Sequence, residues 1–109
     1  MKNDISGIRQ QLDILTKVIV ETVPVEEIYL FGSWAYGIPN KDSDIDLYVV
    51  FKDDMPIREL DALDAVRTAL PARKMPLDLL GLKINRFLYR KQYATLERKI
   101  TREGVKIYG

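Results

Sequence analysis

Apolar residues recur along the first twenty positions at the spacing of one helix face. Ile5, Ile8, Leu12, Leu15 and Ile19 fall on one side, while Arg9, Gln10, Gln11, Asp13 and Lys17 fill the others. This pattern predicts an amphipathic helix that covers a sheet and closes at Val23-Pro24. The period then shortens. Ile28 to Phe31 forms the heart of a first strand. From Asp44 to Phe51 the residues alternate, with Asp44, Asp46, Tyr48 and Val50 on one face and Ile45, Leu47, Val49 and Phe51 on the other. Lys52 to Pro56 is a polar turn that caps a second helix, with proline near its first position and Ile57, Leu60, Leu63, Val66 and Leu70 on its apolar side. That helix ends before Pro71. Leu77 to Leu80 is short and apolar apart from Asp78, the pattern of a buried third strand. Tyr89, Tyr93, Leu96 and Ile100 give a last helix its apolar face, Gly104 stops it, and Val105 to Tyr108 has the form of an edge strand.

The chemistry concentrates between Leu30 and Phe51. The first strand runs into Gly32-Ser33 and a Trp-Ala-Tyr segment stopped by Gly37 and Pro39. Glycine lets backbone approach a ligand, amides at a helix start attract anions, and the Ser33 hydroxyl adds a donor. Alternation turns Asp44 and Asp46 the same way. Two unneutralised carboxylates on alternate residues repel, and aspartate is disfavoured in strands. A divalent cation resolves both difficulties. Oxygen ligands without Cys or His suit Mg²⁺ or Mn²⁺ better than zinc.

Two motif readings fail on the letters. Gly32 and Gly37 have the spacing of a phosphate-binding Walker A loop, but Ile38-Pro39 stands where Lys and Ser or Thr belong. Asp42, Asp44 and Asp46 imitate the first ligands of an EF-hand, yet Leu47 takes the place of the turn glycine and Asp53 that of the glutamate.

Gly32-Ser33, then Asp44-Ile45-Asp46, then Asp78 in a later strand resemble the nucleotidyltransferase superfamily of DNA polymerase beta. The likeness is greatest to its minimal members, often paired with HEPN-domain proteins. The closing segment Ile100 to Tyr108 is also similar to that of those proteins. The resemblance implies an α/β (α+β) fold, a small mixed sheet covered by helices. It implies that Asp44 and Asp46 bind two Mg²⁺ ions, that Asp78 binds the catalytic one and orients or deprotonates the acceptor, and that Gly32 and Ser33 hold the phosphates. The implied reaction transfers a nucleoside monophosphate, AMP from ATP, to a hydroxyl. A HEPN ribonuclease toxin is the implied acceptor and this chain its antitoxin. Many relatives carry a basic residue where this chain has Tyr36.

The 109 residues are enough for one domain with a modest core. With 47% hydrophobic and 30% charged residues the composition is that of a soluble globular protein. No run of about 18 apolar residues and no charged-then-apolar leader is seen. The absence of cysteine is compatible with a cytoplasmic setting. With no histidine, Ser-His-Asp and Cys-His mechanisms and His-ligated zinc are excluded.

Net charge is +1, but eight basic residues from Lys83 onward stand against Glu97 and Glu103, a balance of +6 that leaves −5 on the rest. Such asymmetry fits a surface for phosphate, RNA or an acidic partner, and equally a solvated helix face. Two further readings stay open. Asp78 is either a metal ligand or the partner of Arg73 or Lys74, and Trp34 and Tyr36 either stack on a base or fill core. After the catalytic strands only one helix is expected, too little to enclose a small acceptor, so a partner must complete the cleft or be the substrate. A non-catalytic, nucleotide-binding antitoxin or scaffold is a second reading. A catalytic subunit that modifies a small molecule, as in antibiotic nucleotidylation, is a third.

Overall fold

A computed structural model describes residues 4–40, 43–70 and 76–109. Four strands make one sheet in the order β3-β2-β1-β4: β1 is Val25–Phe31, β2 Ile45–Phe51, β3 Leu77–Lys83 and β4 Val105–Tyr108. The central pair β1 and β2 is antiparallel, as is β1 with β4, whereas β2 and β3 run parallel. The parallel pair requires a crossover. It is supplied by α3, Glu59–Ala69.

The alternation read from the sequence decides what each face meets. Ile28, Leu30, Ile45, Leu47, Val49, Phe51 and Leu79 point to one side and pack on α1, Arg9–Thr22, and α3. A single 3₁₀ turn, Ser6–Ile8, leads into α1, and Ile8, Leu12, Leu15 and Ile19 are all buried, as their spacing predicts. Tyr29, Phe31, Tyr48 and Val50 point to the other side, under α4, Ile84–Arg90, and α5, Leu96–Glu103. Phe87 of α4 fills the middle of that layer. Its ring stacks on Tyr29 at 5.9 Å and tilts against Tyr48 at 5.5 Å. Helices thus cover both faces of a small mixed sheet.

Several boundaries and exposures differ from the sequence reading. The first strand begins three residues earlier, at Val25, and the second begins at Ile45, so Asp44 stands just before it. Pro56 lies ahead of α3, whose N-cap is Arg58. Ahead of that helix Ile57 is exposed and Met55 buried, and on it Leu60 is exposed while Ala62, Leu63 and Val66 are buried, because the chain enters α3 later than its apolar letters imply. The third strand continues to Lys83 and lies at the sheet edge, so it is half-open. Leu79 is buried against α3, but Asp78 and Leu80 are exposed. The single last helix is two helices. Residues 91–95 break it, and the Thr95 hydroxyl restarts it by accepting from the Arg98 amide at 3.2 Å. The core residues are Phe87 and Ile100, and Tyr89 and Tyr93 are exposed. Gly104 ends α5 and Val105 to Tyr108 forms an edge strand, both as read.

Candidate active site

The site is assembled at one end of the sheet, where β1 ends and β2 and β3 begin. Phe31 is the last residue of β1 and its register partner is Asp46. The next residue, Gly32, has φ +73 and ψ −155, a region closed in practice to residues with a side chain. A Cβ built on Gly32 would overlap Oδ2 of Asp46. The glycine is therefore required twice, for its dihedrals and for its contact with a carboxylate. From there Ser33–Tyr36 makes one turn of helix, α2, closed by Ala35 and Tyr36 amides donating to the Gly32 carbonyl, both at 3.0 Å. Ala35 is buried in the core and anchors the turn.

The parallel register brings in the second carboxylate. Asp46 of β2 pairs directly with Asp78 of β3, so the two side chains leave the same face side by side. The start of β2 is fixed by the Ile45 amide, which donates to the Pro76 carbonyl at 3.0 Å. Trp34 holds the approach to that strand, its indole N–H donating to the Ser43 carbonyl at 3.3 Å while its ring packs on the core. This indole has a structural task. Asp44, the next residue, is exposed.

Partial burial, the charge of Asp78 and then that of Asp44 push the Asp46 carboxyl up to about 6, and a hydrogen bond with Asp78 adds to the effect. Two carboxyls sharing a proton are what such a pair becomes when no cation separates them. Among the described residues no three acidic side chains are gathered closely enough to hold one ion between them. The register makes Asp46 and Asp78 a facing pair, and Asp44 acts on Asp46 through its charge. Asp42, Arg73 and Lys74, the last two being the ion-pair alternatives for Asp78, lie outside the described residues.

A model of the family "Polymerase beta, Nucleotidyltransferase" matches residues 13–109, which include the turn, all three aspartates and every strand. The chain belongs to the polymerase beta nucleotidyltransferase family. The crystal structure of a "putative nucleotidyltransferase" from Sulfolobus solfataricus superposes on this nucleotidyltransferase domain with a TM-score of 0.52 at 23% identity, over 95% of this chain and 79% of that one. That likeness shows the fold. No curated protein matches the chain in sequence.

From the candidate site of this nucleotidyltransferase-family chain, β2 leads inward to a contact that its sequence did not disclose. Tyr48, two residues beyond Asp46 on the same face, donates its hydroxyl to Glu97 Oε2 at 2.8 Å, and Arg90 Nε donates to Glu97 Oε1 at 2.8 Å. Glu97 is 6% exposed. Burial alone pushes its carboxyl up, but the bonds from Arg90 and Tyr48 prevail and hold it below its ordinary range. Burial and the same bond push the Tyr48 phenol far up, so it remains a donor. Helical spacing was the available signal, because Glu97 sits three residues before the buried Ile100. Of the basic C-terminal residues, Arg86, Arg90 and Lys106 are paired with Glu59, Glu97 and Glu27. Three of the eight basic residues are thus paired within the chain.

Proposed function

We propose that this chain is a cytoplasmic, metal-dependent nucleotidyltransferase that moves AMP from ATP onto a hydroxyl of a partner protein, acting as the antitoxin of a HEPN-domain toxin. The observation that carries the catalytic part is the meeting of Asp46, Asp78 and the Gly32 turn. The family match supports nucleotidyl transfer, and the resemblance to minimal members supports the choice of acceptor.

The donor set fits a hard divalent cation. Asp46 and Asp78 offer carboxylate oxygens alone, they repel one another, and Asp44 adds a further carboxylate from the exposed side. Two Mg²⁺ ions, with Mn²⁺ as substitute, would supply charge neutralisation of the triphosphate and acidification of the acceptor hydroxyl. Asp44 and Asp46 would hold both and Asp78 one. In the transfer, the acceptor oxygen forms a bond to the α-phosphorus, the bond from that phosphorus to the oxygen bridging to the β-phosphorus breaks, and pyrophosphate leaves with the electron pair. Asp78 is exposed on the edge strand, where it can meet an incoming hydroxyl and take its proton. Gly32 and Ser33 line the phosphates, with Gly32 keeping the backbone close to the carboxylates. Two helices follow the catalytic strands rather than one, and both lie on the sheet face. Asp78 on its open edge favours a protein acceptor that approaches from outside.

The test is incubation with α-labelled ATP and a HEPN-domain protein that associates with this chain, followed by mass spectrometry. A nucleotide adduct is expected on the partner with wild type, and orders of magnitude less with Asp46→Asn or Asp78→Asn, while association persists. Calorimetry should show ATP binding that EDTA abolishes. If wild type leaves no adduct while the Asn variants still neutralise the toxin, the chain is a binding antitoxin and the catalytic reading is overturned.

A further inference from the structure

The catalytic end of the sheet presents three carboxylates to a ligand that is itself polyanionic. Cations bound with the ligand offset part of this, but the described contacts also bring one basic side chain to the turn. Lys99 reaches from the exposed flank of α5 and places its Nζ over the ring of Tyr36, 4.8 Å from the centroid. Tyr36 ends the helical turn that Gly32 begins, and its amide is bonded to the Gly32 carbonyl. The ammonium thus rests on the side chain of a residue that lies one helical turn from the glycine that touches Asp46.

We propose that Lys99 is a phosphate-binding residue of the site, its ammonium passing from the Tyr36 ring to the β- and γ-phosphates of the bound nucleotide, with Tyr36 as its positioning residue. This rests on the nucleotidyltransferase reading and deepens it.

Availability is the first argument. Arg58, Arg67, Arg86, Arg90 and Lys106 are each paired with a carboxylate, and Lys83 donates to the Met55 carbonyl. Lys99 has no ion pair among the described residues. Location is the second. Lys91 lies over Phe87, and Lys106 over Tyr29, away from the turn, whereas Lys99 is directed to α2 by its position on the helix. Glu97 and Ile100 turn the inner face of α5 to the sheet, which sets Lys99 on the flank toward Gly32 and Arg102 on the outer side. Energetics is the third. A partly hydrated ammonium on a tyrosine face is held weakly, and a charge-assisted bond to phosphate is stronger, so the ring is a resting place that a phosphate can outbid. Lysine suits this task, since its flexible stem can move a compact charge without fixed bidentate geometry.

The test is calorimetry of the intact chain with Mg²⁺ and three probes: ATP, inorganic tripolyphosphate and AMP. Lys99→Met should weaken ATP and tripolyphosphate about ten- to a hundredfold, as expected for one charge-assisted hydrogen bond, and change AMP less than about twofold. Lys99→Arg should restore most of the loss. Tyr36→Leu should give a smaller loss on the same two probes, and Tyr36→Phe should bind like wild type because the ring face remains. Arg102→Met removes the same charge from the outer side of α5 and should leave all three affinities unchanged. Melting temperatures, with Lys99→Gln as a second variant, establish that the fold is kept. ATP affinity equal to wild type in both Lys99 variants overturns the proposal, as does an equal loss in Arg102→Met or a loss shared equally by AMP. If wild type binds neither ATP nor tripolyphosphate, the nucleotidyltransferase reading falls with it; if wild type binds and Lys99→Met is silent, only the role of Lys99 falls.

Discussion

At the scale of the residue, Gly32 and Asp46 constrain each other. Gly32→Ala forces a side chain into dihedrals that cost about 1 to 3 kcal/mol and onto the Asp46 carboxylate. Urea unfolding should show a loss at least this large, and Asp46→Ala made together with it should recover the part due to overlap, a non-additivity that a double-mutant cycle measures. Asp46 itself makes stability depend on pH. Its carboxyl titrates near 6 in the folded chain against an ordinary 3.8. Below about 4 both states hold the proton and there is no penalty. Between about 4 and 6 the unfolded chain ionises first, so stability of the metal-free protein falls as pH rises, and above 6 the loss is complete. Melting temperature measured in EDTA should fall across this window in wild type and fall less in Asp46→Asn. Mg²⁺ should then raise the melting temperature more at pH 7 than at pH 4.5.

At the scale of the element, α5 is tied to β2, the strand that carries Asp46, through one buried acid. Glu97→Ala leaves the buried Tyr48 hydroxyl without its acceptor, while half-exposed Arg90 turns to water, and a loss of about 2 to 3 kcal/mol is expected. Tyr48→Phe removes one bond and should cost about 1 kcal/mol. Denaturant midpoints distinguish the two. Spacing from Ile100 places Glu97 on the inner face of α5, but its partner was illegible in the sequence, because Tyr48 arrives from a strand 49 positions away. The same limit explains Tyr89 and Tyr93. Their period fits a helix through residue 100, and only the Thr95 hydroxyl, capping a new helix, reveals that the chain turns between them. By contrast Ile8, Leu12, Leu15 and Ile19 were legible, since one amphipathic face with a Pro-marked end needs no distant partner to define it.

At the scale of the whole molecule, the alternation in β2 was enough to divide the core into two layers and to turn Asp46 to the same face as Tyr48 and Val50. The strand order was not contained in it. Whether β3 lies at the edge or the centre depends on where the crossover helix docks, and an edge position leaves Asp78 exposed where the apolar run of Leu77 to Leu80 implies burial. Asp44, read as the first residue of its strand, stands just before β2, which starts at Ile45.

The parallel register of Asp46 with Asp78 also sets an order of assembly. Phe31 and Asp46 meet when β1 and β2 close as a hairpin, over a separation of 15 residues, whereas Asp78 is 32 residues beyond Asp46 and arrives only after α3 has carried the chain across. Closing the longer loop and pairing parallel strands is the slower step. The Gly32–Asp46 half of the site therefore exists first, without the neighbouring charge that later strains it. Pulsed hydrogen exchange during refolding should find the amides shared by β1 and β2 protected before those between β2 and β3. Once β1 and β2 are paired, it is the docking of β3 that sets two carboxylates against each other, so the chain meets that repulsion only when the central hairpin is already built to bear it.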